Sequence, residues 1–180
     1  MCSSDLLWLA RIGADGALEG ARPVAGSGPM EACGIAVFQP LWAGPDLVVA
    51  NDRSGWWNLE RLRDADVHDT PEAPCWEPLL PMEADFGQPQ WIYGLRTVAW
   101  DGAALVASAC REGRWQLGRL RPGAPEPWQP IPLPFDDLDT VVAAEGRLAA
   151  IAAGPLHPSG LLELERSEEH TSELQSPCNL

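Results

Sequence analysis

One unit recurs three times along this chain, and the repeat limits the folds open to it. The first copy is an apolar run, Asp46-Leu47-Val48-Val49-Ala50-Asn51, then a turn at Asp52-Arg53-Ser54-Gly55, then Trp56-Trp57-Asn58-Leu59-Glu60-Arg61-Leu62 with alternating apolar and polar residues. An Asp side chain accepts backbone N–H bonds inside such a turn, and Gly55 is free to take positive φ. The second copy is Ala104-Leu105-Val106-Ala107-Ser108-Ala109-Cys110, the turn Arg111-Glu112-Gly113-Arg114, and Trp115-Gln116-Leu117-Gly118-Arg119-Leu120. Trp57 and Trp115 hold matching places, as do Leu59 and Leu117, and Leu62 and Leu120. A weaker third copy joins Arg147-Leu148-Ala149-Ala150-Ile151-Ala152-Ala153 through a Gly/Pro-rich turn to Leu161-Leu162-Glu163-Leu164.

Each copy has a lead-in strand, near Phe38 to Trp42, Thr97 to Trp100 and Thr140 to Ala143. The first two have a trailing segment, Trp76-Glu77-Pro78 and Trp128-Gln129-Pro130. A full unit is therefore four strands. Leu47, Leu105 and Leu148 mark the copies at spacings of 58 and 43 residues. A four-strand unit of roughly 40–50 residues is the signature of a β-propeller blade. The stretch Leu7-Trp8-Leu9-Ala10-Arg11-Ile12 and the turn after it read as the last strands of a preceding blade. The expected fold is all-β: a partial propeller of about three four-stranded antiparallel blades plus part of a fourth, not closed, with raw sheet edges that invite association. A β-sandwich also supplies short strands and frequent turns, but the residue-for-residue recurrence of Gly, Trp and Leu (Gly55, Trp57, Leu59; Gly113, Trp115, Leu117) favours blades.

Composition narrows the functions. The 180 residues suffice for one domain. A net charge of −14, with Lys+Arg of 12, repels phosphate backbones, so a nucleic-acid partner is not expected. No apolar run reaches the ~18 residues that cross a bilayer, and no membrane partner is expected.

The two ends read as foreign. Met1-Cys2-Ser3-Ser4-Asp5-Leu6 and the tail from Arg166 (Arg166-Ser167-Glu168-Glu169-His170-Thr171-Ser172-Glu173-Leu174-Gln175-Ser176) back-translate to the two orientations of a sequencing-library adapter. Residues 1–6 and 166–180 are expected to be scars, the latter disordered, and 7–165 an internal slice of a longer protein.

Acyl transfer needs a nucleophile elbow, Gly-x-Ser-x-Gly between a strand and a helix, and none occurs. Ser27 lies in a Gly-Ser-Gly-Pro loop, Ser54 in a turn and Ser159 in a Pro-Ser-Gly turn. His68 sits in an acidic loop read as solvated, and His157 reads as a hairpin-loop residue. Cys33, Cys75 and Cys110 show no Cys-x-x-Cys spacing for zinc. They read as buried reduced thiols, which points to a cytoplasmic protein. Asp136-Asp137-Leu138-Asp139 lacks the spacing of a calcium loop and reads as a turn between blades. No metal, cofactor or catalytic residue is expected. Asp52, Arg53, Gly55, Trp57, Leu59, Gly113, Trp115 and Leu117 are expected to be structural blade residues, with Trp57 and Trp115 wedged between sheets. A Trp-rich acidic surface also admits carbohydrate binding.

The stretch Asn51-Asp52-Arg53-Ser54-Gly55-Trp56-Trp57-Asn58-Leu59 resembles the "SDRxGWWNLY" blade motif of prolyl oligopeptidase-like serine peptidases. Pro81-Met82-Glu83-Ala84-Asp85-Phe86-Gly87-Gln88-Pro89-Gln90-Trp91-Ile92-Tyr93-Gly94 resembles a second signature, "EAEFGxPQWxFG", and Leu7 to Ile12 resembles a third, "ELWVARI". The resemblance spans almost all of residues 7–165 and is closest to the dipeptidyl aminopeptidase/acylaminoacyl-peptidase branch. It departs where the family often has Ser-Pro-Asp-Gly and this chain has Ala43-Gly44-Pro45-Asp46. It implies a parent in which an N-terminal propeller caps a C-terminal α/β-hydrolase domain with a Ser-Asp-His triad and filters for short peptides. This chain would be a non-catalytic part of that propeller, its partners being the hydrolase domain and the peptide substrate, with Trp91 and Tyr93 facing the cavity between domains. The alternative is a fragment of a stand-alone propeller serving as a binding or scaffold module.

Overall fold

The computed structural model describes residues 6–26, 35–65, 74–88 and 94–165. Every regular element among them is a β-strand, and no helix among them is long and apolar enough to cross a membrane. Four antiparallel sheets follow one another in chain order. A hairpin of β1 (Leu6–Ile12) and β2 (Leu18–Gly26) comes first. The first blade is β3 (Val37–Ala43), β4 (Asp46–Asn51), β5 (Asn58–Leu62) and β6 (Glu77–Pro78). The second is β7 (Val98–Trp100), β8 (Leu105–Arg111), β9 (Arg114–Leu120) and β10 (Trp128–Pro130). The third contributes β11 (Asp137–Ala144), β12 (Arg147–Gly154) and β13 (His157–Glu165). The lead-in strands lie side by side from sheet to sheet, β3 touching β7 and β7 touching β11. This is the open, partial propeller expected from the repeat.

The strand registers reproduce the repeat. Leu47 pairs with Leu62, and Leu105 with Leu120. Further along the ladder, Ala50 pairs with Leu59, Ser108 with Leu117, and Ile151 with Leu161. The turns use the chemistry that right-twisted hairpins demand. Glu112 and Gly113 both take positive φ (52° and 76°), as do Glu145 and Gly146 (51° and 79°). Each outer strand of the first two blades ends on proline, Pro78 or Pro130, which removes an N–H from the exposed edge.

Burial explains why β4 and β12 read so differently. From Leu47 to Asn51 every residue of β4 is buried, because another sheet covers each face. On one side, Leu47 and Leu62 join Val24 of the hairpin. On the other, Val48, Ala50 and Leu59 meet Val98, Leu105, Ala107 and Leu120 of the second blade. The second blade repeats the arrangement, with Ala99, Val106 and Leu117 against Leu148, Ala150, Leu162 and Leu164 of the third. In β12, only the face carrying Leu148, Ala150 and Ala152 is covered.

Four expectations need correction. The loop after β4 runs from 52 to 57, and β5 begins at Asn58, so Trp56 and Trp57 lie outside the strand. The cause is that the backbone of Trp57 bonds elsewhere, as described below. Asp137 to Asp139 form the start of β11 rather than a turn; a bulge there lets Asp139 Oδ1 accept the Thr140 N–H at 2.7 Å. His157 and Ser159 belong to β13, because Gly154 already pairs with His157 across a turn of only Pro155 and Leu156. Cys75 is exposed, not buried; its neighbour Trp76 turns inward instead and donates Nε1–H to the Val24 carbonyl at 2.7 Å.

Candidate functional site

The signature residues converge on one strap of backbone, residues 79–86, that crosses from the first blade to the second. Its start is tied to β5 by the Leu79 N–H donating to the Leu59 carbonyl at 2.9 Å. Buried Asn58 then holds it at three points. The Met82 N–H donates to Asn58 Oδ1 (2.9 Å), while Asn58 Nδ2 donates to the carbonyls of Met82 (3.1 Å) and Ala84 (3.0 Å). The Trp57 N–H donates to Asp85 Oδ1 at 3.0 Å, and the Phe86 N–H to the Trp57 carbonyl at 2.7 Å. These two bonds pull Trp57 out of the β4–β5 ladder. The far side is fixed to the second blade: Asp85 and Cys110 exchange backbone bonds at 3.0 and 2.8 Å. The Trp57 ring stands edge-on to Phe38 of its own blade, centroids 4.6 Å apart, with Gly87 against the Phe38 ring and the Trp57 Cβ.

The turn residues serve the same end. Asp52 Oδ1 accepts the Ala36 N–H at 2.9 Å, and the Asp52 carbonyl accepts the Gly55 N–H at 2.9 Å, with Gly55 at φ 85°. Arg53 places Nε 3.4 Å from the carboxylate of nearly buried Glu60. Leu59 and Leu117 are each 1% exposed in successive inter-blade cores. Gly113 sits in its two-residue turn at φ 76°.

A second strap, residues 131–136, joins the second blade to the third by the same logic. The Ile131 N–H donates to the Leu117 carbonyl (2.8 Å), the Trp115 N–H to the Asp136 carbonyl (2.9 Å), and the Asp136 N–H to Ala153 (3.2 Å). It is shorter, and Gln116 stands where the first blade has Asn58. Gln116 is exposed. A cleft of about 350 Å³ opens here, lined by Trp115, Gln116, Leu117, Leu133, Phe135 and Asp136 among others. Most of its lining residues are apolar, with Arg114, Gln116 and Asp136 as the polar side chains. It holds no nucleophile and no histidine.

Other chemistry is sparse. Among the described residues no group of three His, Cys, Asp or Glu side chains is placed to hold a metal. His157 packs its ring edge-on to Phe135 at 5.3 Å. Burial pushes the Cys110 thiol above its ordinary pKa, away from the reactive thiolate. Cys33, Ser27, His68, Trp91 and Tyr93 lie outside the described residues, as do the two end segments 1–5 and 166–180.

Sequence reasoning missed Asn58, Asp85 and Gln39 as individual players. Gln39, in a bulge of β3 at φ 53°, accepts the Thr97 N–H at 2.6 Å and donates to Thr97 Oγ1 at 2.8 Å, clamping adjacent inner strands. The available signal was a polar amide in the middle of a strand, a position that amides rarely fill unless bonded.

The arrangement defines a class: successive propeller blades laced together by backbone straps. Comparison with solved structures narrows it. A crystal structure of puromycin hydrolase matches over 97% of this chain, with a TM-score of 0.75 and 26% sequence identity. A puromycin-hydrolyzing peptidase of Mycobacterium tuberculosis matches over 93% of it, with a TM-score of 0.73 and 24% identity. A structure from a study of two prolyl endopeptidases matches over 94%, with a TM-score of 0.64 and 13% identity, a likeness of fold alone. The chain spans about a quarter of the length of these structures: 25%, 24% and 23%. No family model matches the chain, and no curated protein matches it in sequence. These findings bear out the resemblance to the propeller of prolyl oligopeptidase-like peptidases.

Proposed function

We propose that this chain is a non-catalytic part of the propeller of a prolyl oligopeptidase-like serine peptidase. The observation that carries the reading is the match to puromycin hydrolase along nearly the whole of this chain but only 25% of the other. The strap geometry supports it, since both family signatures supply residues to a single bonded junction. In the parent, a separate α/β-hydrolase domain carries the Ser-Asp-His triad. Histidine takes the serine proton as the hydroxyl attacks the scissile carbonyl, and an acyl-enzyme forms and is then hydrolysed. The propeller blades wall off that site, so a short peptide enters while a folded chain is excluded by its width. Puromycin, an aminoacyl amide, is the first substrate to try on the parent.

Two measurements test the reading. The coding DNA continuing beyond codon 165 in its source should encode Gly-x-Ser-x-Gly at a strand-to-helix turn within a few hundred codons; a stop codon there would favour a stand-alone binding propeller. The chain by itself should hydrolyse neither puromycin nor aminoacyl-anilides above background. Activity abolished by a serine-directed inhibitor would contradict the non-catalytic assignment.

A further inference from the structure

The two junctions between blades correspond at their ends and differ in the middle. Register makes Asn58 equivalent to Gln116, Leu59 to Leu117 and Cys110 to Ala153. The Leu79 N–H reaches the Leu59 carbonyl as the Ile131 N–H reaches that of Leu117, and the Asp85 N–H reaches Cys110 as the Asp136 N–H reaches Ala153. Between these anchors the first strap is the longer. Its middle, Met82 to Ala84, fills the space beside Asn58: one backbone N–H and two carbonyls meet the Asn58 amide, and Ala84 is wholly buried. Asp85 Oδ1 takes the Trp57 N–H. At the second junction both polar side chains are released. The Trp115 N–H goes to the Asp136 carbonyl rather than its carboxylate, and Gln116 is exposed, with no strap group on its amide among the described residues. Both line the cleft, with Trp115, Leu133 and Phe135 as its apolar wall. The lining belongs to the second blade, its strap and Pro155 of the next hairpin turn, so the opening comes from the shorter strap and not from where the last sheet stops.

We propose that the cleft is a binding site for a short, uncharged peptide segment of another molecule, which takes the place that Met82 to Ala84 hold at the first junction. That junction supplies the chemistry of the occupant. Gln116, like Asn58, carries an acceptor oxygen and an NH2 donor, which a peptide N–H and nearby carbonyls satisfy. The Asp136 carboxylate is free to take a further backbone N–H, as Asp85 does from Trp57. The apolar wall suits an apolar side chain like that of Met82. The two charged lining residues, Arg114 and Asp136, cancel, and a net charge of −14 on the chain repels an acidic occupant. The volume of about 350 Å³ lies within the span of small-ligand pockets, roughly 300–1,000 Å³. The site is independent of the peptidase reading, because it rests on the two junctions alone.

The test titrates the full chain with acetyl-Met-Ala-Ala-amide, an uncharged tripeptide, and follows proton–nitrogen NMR signals. The Gln116 side-chain NH2 and the Trp115 indole N–H should shift together and saturate, with a Kd of about 0.1–1 mM, as suits so small a ligand. Gln116→Ala and Asp136→Ala leave the backbone anchors of the strap in place. Each should keep the circular dichroism and unfolding midpoint of the unmodified chain and weaken binding by about fivefold or more, the loss of one net hydrogen bond. The same tripeptide with N-methylated amides keeps its apolar side chain and should lose the shifts. Equal binding of the N-methylated peptide would reveal apolar adhesion alone, and shifts indifferent to Gln116→Ala would place the peptide elsewhere. A Gln116 amide already protected from hydrogen exchange in the free chain would mean that the chain fills its own cleft. Any of these results, or no shift at millimolar peptide, overturns the proposal.

Discussion

Asn58 and Met82 hold each other by a reciprocal pair of hydrogen bonds, N–H to Oδ1 at 2.9 Å and Nδ2 to carbonyl at 3.1 Å. The side chain of one strand residue thereby mimics a neighbouring strand. Replacing it with alanine takes the partner from the Met82 N–H and from the buried Ala84 carbonyl, while the Met82 carbonyl keeps the Ala84 N–H at 2.9 Å. Asn58→Ala should cost about 2–3 kcal/mol, the penalty for stranding buried backbone groups, read as a lower urea midpoint. Gln116→Ala, at the matching but exposed place, should stay within about 0.5 kcal/mol. Equal losses at both positions would mean that Asn58 does not act through the strap.

Two glycines are expected to resist even a methyl group. A Cβ on Gly118 would lie 2.5 Å from the Trp128 ring, and one on Gly87 would press on the Phe38 ring and sit 3.2 Å from Trp57 Cβ. Both rings are packed against the core between the first two blades or its rim, so neither retreats freely. Gly118→Ala and Gly87→Ala should each destabilise by about 1–3 kcal/mol, the usual cost of overpacking. Indole fluorescence during unfolding reports the change, and an unshifted midpoint would show that the rings swing aside.

Glu77 sits between two guanidinium groups. The hydrogen bond from Arg63 (2.8 Å), then that from Arg61 (3.2 Å), holds its carboxyl below the usual carboxylate range. A carboxylate with a depressed folded pKa adds stability above its unfolded pKa and loses it as pH falls through the folded value. Any acid sensitivity from this group therefore lies below the ordinary glutamate pKa of about 4.3. Being exposed, the pair is screened by salt. Carboxyl NMR should find the Glu77 midpoint below that of a free glutamate, and Arg63→Gln or high salt should move it upward; an unmoved midpoint in Arg63→Gln would remove Arg63 as the main cause.

The cysteines should separate by reactivity. Cys75 is exposed, whereas Cys110 is partly buried with its thiol pushed up by desolvation. Iodoacetamide near neutral pH should modify Cys75 well before Cys110, as read by peptide mapping. Preferential labelling of Cys110 would contradict the placement of the strap over its strand.

The strand framework was legible because copies could be laid against one another. Leu47, Leu105 and Leu148 mark the start of equivalent strands, and the pairing leucines follow from a period of two. Legibility failed where a local rule met a tertiary demand. Trp56 and Trp57 have strong strand propensity, yet the strap claims both backbone bonds of Trp57 and lengthens the loop. Asp137 and Asp139 are poor strand formers, yet an inner strand with a bulge takes them. The Pro-Ser-Gly stretch at Ser159 looks like a turn, but β13 tolerates it at the margin of its sheet. The cleft beside Trp115 left no mark in the sequence, because it lies beside a strap shorter than its counterpart, and no side-chain pattern records that difference.

The first strap also bears on how such chains can be recombined. Its bonds run to Asn58 on one side and Cys110 on the other, so sheet boundaries and exchangeable units do not coincide. A chimaera spliced between Phe86 and Val98 would hand a foreign neighbour a strand edge shaped for Cys110, whereas one spliced within residues 66–73 would carry the connector whole but strip Asn58 of its ligand segment. Genes for rings built this way should tolerate crossover only when both contributing halves keep the asparagine, the connector and the receiving strand together.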